Sequence, residues 1–359
     1  MRISARTPVS IITGFLGSGK TTLLNHLLAD PGMAGAAVII NEFGEIALDH
    51  LLIATPNENT VLLTSGCICC TVRGDLVDTL RDLDARRRDG VVQFDRVLIE
   101  TTGLADPVPI IQTVIADEKI APRFELDSVV TLVDAVNGMT QLDSQREAVK
   151  QVAVADRLLI TKTDIAEPQA TANLQRRLSR INPGALMQRV RQGDIAPALL
   201  FGASINSKAQ RADLDRWLRD KIVAPVETDV AHPHDDHIHA FCFYLDDPVS
   251  SMGMSAWLTA LASLRGANLL RVKGLLNVEG KPVVVHAVQT LIHEPVALAR
   301  WPDTDRRSRL VFITRDMRRE EIEATLDVLR LKPSSTGDQP SRLDPRAYAL
   351  FAAAMKKVH

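Results

Sequence analysis

The chain has 359 residues, and its 42 basic and 44 acidic side chains give a formal net charge of −2. This balance excludes the sequence-wide basic field that favours nucleic acid or an anionic membrane, and the length predicts two domains. No apolar run approaches the ~18 residues of a membrane span, and the N-terminus lacks the apolar core of a signal peptide. We therefore expect a soluble, cytoplasmic protein that binds neither nucleic acid nor membrane.

The first element is an apolar run, residues 9–13, which predicts a buried strand. It leads into the pattern G-x-x-x-x-G-K-[ST] and then into leucines at helical spacing. This arrangement directs backbone N–H groups and the positive end of a helix at one point, which binds phosphate. Lys20 would reach the β- and γ-phosphates, and Thr21 would ligate Mg²⁺. The predicted nucleotide-binding residues here are Gly14, Gly17, Ser18, Gly19, Lys20, Thr21 and Thr22.

Short Val/Ile/Leu runs then alternate with helical patterns through the first two-thirds of the chain. The candidate strands are residues 37–41, 61–63, 96–100, 128–133 and 157–161. They lack the alternation of a half-exposed sheet, which is typical of a parallel sheet covered on both faces. We expect an α/β, doubly wound, mostly parallel P-loop domain over residues 1–222.

A polar, histidine-rich segment, residues 223–239, predicts a linker. Strand patterns at 240–245, 282–288 and 309–314, with helical patterns at 254–264 and 320–329, predict a smaller α+β domain over residues 240–331. The composition of residues 332–359 predicts a flexible linker and tail.

A second apolar strand ends in Glu100, with a glycine three residues further on. Glu100 is a candidate Mg²⁺ ligand, directly or through water. Gly103 can bring its amide close to the γ-phosphate, because glycine permits close backbone contact. Residues 103–107, called the switch segment below, would then move when that phosphate leaves. The predicted catalytic residues are Lys20, Thr21, Glu100 and Gly103, and residues 41–46 have the position of a first switch.

Thr161, Lys162 and Asp164 follow another apolar strand. A carboxylate just past a strand end can accept from guanine N1–H and the 2-amino group together, and adenine offers no such pair. Lys162 would lay its methylene stem over the purine. The pattern resembles the GTPase motif N-K-x-D with Thr in place of Asn, and it predicts GTP or GDP as the ligand. The alternative is a solvated Lys/Asp turn.

Cys67, Cys69 and Cys70 lie between the strand at 61–63 and a helix that begins near Gly74. Thiols beside a helix N-terminus ionise readily, and three on one turn suit Zn²⁺ or Cu⁺. Structural zinc usually has four protein ligands, so a remaining position would fall to water, Glu45 or a mobile group. Such an incomplete site suits a carrier. The alternative is a buried or redox-active cysteine pair.

Four histidines, at 232, 234, 237 and 239, form a second cluster. Side chains at i and i+2 share a face of an extended chain, so His237 and His239 could chelate one ion. A solvated linker explains the same composition. Cys242 is more typical of a packed core residue than of a ligand.

Together these motifs resemble the CobW family of metal-chaperone GTPases, in its YjiA-like branch. The matching segments are 14–24, 41–45, 66–70, 100–107 and 161–164, with weaker similarity at 269–274 and 309–313. The resemblance implies a GTPase with a zinc site beside its switches and a C-terminal domain that meets a client protein. Proteins of this branch can carry a metal-binding glutamate just before Asn41, where this chain has Ile40, so only Glu45 of that carboxylate pair has a counterpart.

We expect a GTP-hydrolysing zinc metallochaperone that couples the nucleotide cycle to metal transfer to a client metalloprotein. It would use GTP/GDP, Mg²⁺ and Zn²⁺, and a homo-oligomer is compatible with the sequence. One alternative is a GTPase that inserts another metal or cofactor, as in cobalamin synthesis or nitrile hydratase maturation. Another is a nucleotide-regulated module for metal storage or sensing.

Overall fold

A computed structural model describes residues 6–41, 61–65, 72–201, 238–263, 268–289 and 291–331. The chain divides into two compact units, Met1–Trp217 and Leu218–His359. The described residues of each unit form a hydrophobic core of their own. None of the helices in these ranges is both long enough and apolar enough to span a bilayer.

The first unit alternates strands with helices along its described length. Its strands are β1 (Thr7–Gly14), β2 (Ala36–Asn41), β3 (Val61–Ser65), β4 (Arg96–Glu100), β5 (Phe124–Asp134), β6 (Arg157–Thr161) and β7 (Leu186–Arg189). Its helices are α1 (Lys20–Ala29), α2 (Val72–Arg88), α3 (Val108–Ala116), α4 (Gly138–Ser144), α5 (Arg146–Ala153) and α6 (Pro168–Ile181). Short 3₁₀ turns occur at Pro31–Met33 and Pro197–Leu199.

These seven strands form one parallel sheet in the order β3-β2-β4-β1-β5-β6-β7. The expected α/β, doubly wound sheet is therefore confirmed. Leu23, Leu24, Leu27 and Leu28 of α1 pack in the same buried cluster as side chains of β1, β2 and β4, which explains the helical spacing of these leucines. The chain runs to one side of β1 first and to the other side later, and ligands of open parallel sheets bind at the carboxyl ends of the strands near such a reversal.

The second unit contains a mostly antiparallel sheet and two helices. Its strands are β8 (Ile238–Leu245), β9 (Leu269–Val278), β10 (Lys281–Val288), β11 (Leu291–Ile292), β12 (Val296–Ala297) and β13 (Ser308–Arg315). The helices are α7 (Ser251–Ser263) and α8 (Arg319–Leu326), and a 3₁₀ turn follows at Asp327–Arg330. The strand order is β11-β10-β9-β13-β8, with β12 on β10. Trp257 of α7 is fully buried against Phe312 of β13, so one face of the sheet packs on the helices. This is the expected smaller α+β domain.

Candidate nucleotide site

The phosphate loop joins β1 to α1 at the carboxyl end of the sheet. Gly19, the residue before α1, has φ 97° and ψ 22°, a left-handed conformation that glycine adopts at little cost. No side chain caps the helix at this end. The first backbone N–H groups of α1 have no intrahelical partner, and the helix dipole favours an anion beside them. The sequence therefore builds an anion site here from backbone alone.

The Lys20 side chain lies inside this loop, with the residue only 9% exposed. Its Nζ donates to the carbonyl oxygen of Gly14 at 2.9 Å and to that of Phe15 at 3.3 Å. The ammonium group is thus held at the loop, where phosphate oxygens can replace the carbonyls as acceptors. The Ser18 hydroxyl is also buried, and no described residue is its hydrogen-bond partner. Since buried hydroxyls are normally paired, Ser18 marks a place for a ligand atom.

The expected guanine-recognition turn is hydrogen-bonded directly to the phosphate loop. Thr161 ends β6, and its Oγ1 donates to the carbonyl oxygen of Ser18 at 2.8 Å. The hydroxyl that stands in place of the asparagine in N-K-x-D therefore connects the two segments. A base held by the turn and phosphates held by the loop would belong to one ligand.

Lys162 is held by a buried carboxylate at the end of β5. Its φ of 56° is uncommon for a residue other than glycine, and its Nζ donates to Asp134 Oδ2 at 2.8 Å. Asp134 is 1% exposed and also accepts from the Val136 N–H at 2.8 Å and from Asn137 Nδ2 at 3.0 Å. Burial by itself would raise the pKa of Asp134, but the hydrogen bonds that the carboxylate accepts hold its pKa below the ordinary value. Asp134 is therefore charged and fixes Lys162 in place.

Asp164 is exposed in the turn after β6, so its carboxylate is accessible to a ligand. An open pocket of about 410 Å³ lies beside this turn and the turn after β7. It is lined by Thr163, Ala166, Pro168, Thr171, Arg189, Arg191 and Asp194. Thr163, in the middle of the base-recognition turn, thus lies at a cavity, whereas Thr161, Lys162 and Asp164 are not part of its lining.

Glu100 and Gly103 lie close to the phosphate loop. Glu100 ends β4, is 4% exposed, and is in register with Ile12 of β1. A Cβ atom on Gly103 would lie 2.6 Å from the backbone nitrogen of Leu16. Only glycine therefore allows the switch segment to approach the phosphate loop this closely.

Two family matches cover most of the chain. Residues 8–189 match the CobW/HypB/UreG nucleotide-binding domain, and residues 238–330 match the cobalamin synthesis protein CobW C-terminal domain.

The chain belongs to the CobW family.

Curated relatives of this CobW-family chain are named as zinc chaperones. The zinc chaperone YjiA of Escherichia coli K12 is 39% identical, with 90% of this chain and 98% of YjiA covered. The zinc chaperone CobW of Pseudomonas aeruginosa is 31% identical, with 88% of this chain and 90% of the relative covered. The crystal structure of the Zn(II)-bound YjiA GTPase from E. coli matches with a TM-score of 0.71 and 34% identity, over 91% of this chain and 99% of that one. The family resemblance expected from the motifs is thereby confirmed.

The residues expected to bind transferred metal mostly lie outside the described ranges. These are Cys67, Cys69, Cys70, Glu45 and His237. His239 is exposed on β8, where its ring centroid lies 6.0 Å from that of Phe241. Within the described ranges, no group of three or more His, Cys, Asp or Glu side chains is placed to hold a metal ion. Burial raises the pKa of the half-buried Cys242 thiol, although the nearby Arg319 opposes this effect, and this environment suits a packed residue.

The strand order nevertheless determines where the segments with the metal-ligand candidates start. β3, which precedes the cysteine turn, pairs with β2, which precedes the first switch, and β2 pairs with β4. Asn41 is in register with Ser65, and Ile40 with Glu100, so these strands end at the same level. Neighbouring strands are roughly 4.8 Å apart, so both segments leave the sheet within roughly 10–15 Å of β1.

Three contributors to the site were missed by sequence reasoning. Asp134 ends an expected strand in a carboxylate, the same signal that singled out Glu100. Thr101 donates its Oγ1 to Thr13 Oγ1 at 2.8 Å and fixes the start of the loop after β4. Gln151 of α5 donates to the carbonyl oxygens of Gly103 and Ala105, but it lies in an ordinary amphipathic helix and nothing in its local sequence marks it.

Proposed function

We propose that this chain is a GTP-hydrolysing zinc metallochaperone, which couples GTP binding and hydrolysis to zinc transfer to a client metalloprotein. The observation that carries the proposal is the 2.8 Å hydrogen bond between Thr161 Oγ1 and the Ser18 carbonyl, which joins the base-recognition turn to the phosphate loop. The identity of the cargo is inferred from the two curated relatives, which are both named as zinc chaperones.

Separate groups of residues bind the phosphates and the base of the nucleotide. The N–H groups of the phosphate loop and α1 receive the phosphates, and Lys20 exchanges the loop carbonyls for β- and γ-phosphate oxygens. Lys162 covers one face of guanine, and Asp164 accepts from its N1–H and 2-amino groups. Asp134 keeps Lys162 in the required conformation. Selectivity for guanine follows, because adenine has no matching donors for Asp164.

Mg²⁺ fits the residues at this loop. Thr21, in the first turn of α1, and Glu100, at the end of β4, offer hydroxyl and carboxylate oxygens, which Mg²⁺ prefers. The orphaned Ser18 hydroxyl belongs to the same loop. When bound, Mg²⁺ would neutralise charge on the β- and γ-phosphates. Gly103 then senses the γ-phosphate through its N–H.

Zinc is the cargo, and the cysteine turn is its binding site in this proposal. Cys67, Cys69 and Cys70 provide thiolates, and Glu45 supplies a further oxygen from the first switch. The pair His237 and His239 forms a second, weaker zinc-binding site. Glu45 follows β2 in the sequence and the cysteines follow β3, the neighbouring strand. Movement of the first switch in response to the nucleotide would therefore change which side chains bind zinc.

The proposed domain limits are residues 1–222 for the GTPase domain, 223–239 for the linker, 240–331 for the C-terminal domain and 332–359 for the tail. The C-terminal domain meets the client. We further propose a cytoplasmic location; a homo-oligomer is compatible with the sequence.

GTP turnover and zinc content test the proposal together. The purified chain is expected to hydrolyse GTP slowly, near ~10⁻³ s⁻¹ as GTPases without an arginine finger do, and to strongly prefer GTP over ATP. It is also expected to hold about one zinc per chain with an affinity of roughly 10–16 kcal/mol. The triple variant Cys67→Ala/Cys69→Ala/Cys70→Ala should lose this zinc and keep GDP binding. Equal catalytic efficiency with ATP, or unchanged zinc content in the variant, would contradict the proposal.

A further inference from the structure

Two neighbouring side chains of α5 hold the switch segment. Gln151 is 1% exposed, and its Nε2 donates to the carbonyl oxygen of Gly103 at 3.2 Å and to that of Ala105 at 3.0 Å. Lys150 Nζ lies 3.0 Å from Asp106 Oδ2. Three of the five residues of the switch segment, at 103, 105 and 106, are thereby tied to one helix.

The helix that makes these contacts is itself fixed from two sides. Thr131 of β5 donates its Oγ1 to the carbonyl oxygen of Gln151 at 2.8 Å. Asn182, which is fully buried after α6, donates its Nδ2 to the carbonyl oxygens of Val152 and Ala155 at 2.8 and 2.9 Å. The switch segment is therefore bound to a rigid support rather than to another loop.

Gln151 makes these contacts at a cost to its own side chain. Its Oε1 is buried, and among the described residues no donor reaches it. An unsatisfied buried acceptor lowers stability. The side-chain amide thus uses its N–H donors on the switch segment and leaves its own oxygen unpaired. This arrangement indicates that the residue holds the switch segment rather than fills the core.

We propose that Gln151 is a positioning residue for recognition of the γ-phosphate, with Lys150 as a second tie. The inference rests on the proposed GTP hydrolysis. Anchoring the Gly103 and Ala105 carbonyls restricts the backbone torsions around the residue with the greatest conformational freedom, so that the N–H of Gly103 is preorganised beside the phosphate loop. When the tie is lost, the γ-phosphate must order the segment itself. Affinity for GTP then falls, whereas affinity for GDP, which has no γ-phosphate, stays the same.

The test compares Gln151→Met with the matched control Asn182→Ala. Methionine keeps the length of the side chain and removes both donors. Asn182→Ala removes one support of α5, but it keeps the Thr131 hydrogen bond to this helix and both contacts of Gln151 with the switch segment. The measured quantity is the dissociation constant of a non-hydrolysable GTP analogue divided by that of GDP. This ratio should rise about 10-fold in Gln151→Met and stay unchanged in Asn182→Ala. The turnover number should fall in Gln151→Met as well. A ratio that is unchanged in Gln151→Met, or equally altered in both variants, overturns the proposal.

Two further measurements keep the proposal testable if Gln151→Met folds poorly or GTP is not hydrolysed. Lys150→Met removes an ion pair whose side chains are 23% and 32% exposed, and it should raise the same ratio of dissociation constants about 3-fold. An unchanged ratio in this variant overturns the role of Lys150. Amide hydrogen exchange without nucleotide should speed up at residues 103–107 in Gln151→Met and not in Asn182→Ala. If exchange and the binding ratio respond while the native chain turns over no GTP, the proposed function fails and the positioning role stands.

Discussion

Replacement of Asp134 by asparagine perturbs the base-recognition turn at its anchor. Asparagine keeps the shape of the side chain, and its carbonyl oxygen can still accept from the Val136 N–H. Its amide nitrogen, however, would face Lys162 Nζ and Asn137 Nδ2, two donors that now contact a carboxylate oxygen at 2.8 and 3.0 Å. A buried pairing of donor with donor therefore replaces a charge-assisted bond.

The expected loss of stability follows from the burial of the two partners. Breaking a buried ion pair costs about 3–5 kcal/mol, but the Lys162 side chain is 37% exposed and water compensates part of the loss. We expect about 2 kcal/mol for Asp134→Asn, which corresponds to a fall of roughly 4–8 °C in Tm for a unit of this size. KM for GTP should rise while the turnover number changes little, because Lys162 binds the base in the ground state and transition state alike.

The pH dependence of this effect has a defined sign. The pKa of Asp134 lies below its ordinary value of 3.8, so its contribution to stability is complete above that value and disappears as the pH falls through the folded-state pKa. The difference in Tm between the native chain and Asp134→Asn should be constant near neutral pH and should narrow below about pH 4.

Thermal unfolding followed by circular dichroism across this pH range measures both quantities, and steady-state kinetics measure KM. Asp143→Asn is the matched control, because Asp143 pairs with Arg177 at the surface and should change Tm only slightly. An Asp134→Asn variant with the Tm and KM of the native chain would refute the assignment of Asp134 as the anchor of Lys162.

Three further predictions concern separate parts of the structure. Lys20→Ala should abolish GTP hydrolysis, because no other described cation reaches the carbonyls of the phosphate loop; turnover at the native rate would move the active site elsewhere. Thr161→Val should weaken binding of GDP and GTP by a similar factor of about 5, through loss of the bond to Ser18, and calorimetry showing native affinities would contradict this. Gly253→Ala should destabilise the second unit by about 2 kcal/mol, because a Cβ there would lie 2.4 Å from the Leu329 carbonyl oxygen. The exposed Ser255→Ala is its control, and equal denaturation midpoints would show that α7 can shift.

The strands of the first unit were predictable because their signals are local. Apolar runs at 96–100 and 157–161 give β4 and β6 with the bounds that the structure has. β7 was missed, since Leu186–Arg189 is short and half polar and is recognisable as a strand only by its pairing with β6. β5 begins at Phe124, earlier than expected, because Glu125 and Asp127 interrupt the apolar run that marks a strand.

The chemistry of the site was predictable where a motif carries it and not where a distant residue supports it. The phosphate loop, Glu100 and Thr161 follow from patterns of a few residues. Asp134 acts on a lysine 28 positions away, and Gln151 acts on a glycine 48 positions away. Such contacts depend on which strands and helices become neighbours, and the spacing of residues along the chain does not reveal that.

Zinc affinity in different nucleotide states tests the central claim most directly. The chain should be titrated with zinc against a competing chelator when it carries no nucleotide, GDP and a non-hydrolysable GTP analogue. Coupling between such sites is typically 1–3 kcal/mol, so the account predicts zinc affinities that differ about 5–150-fold between the GDP and GTP-analogue states. Equal zinc affinities in all three states would contradict a carrier driven by GTP, even if both ligands bind tightly.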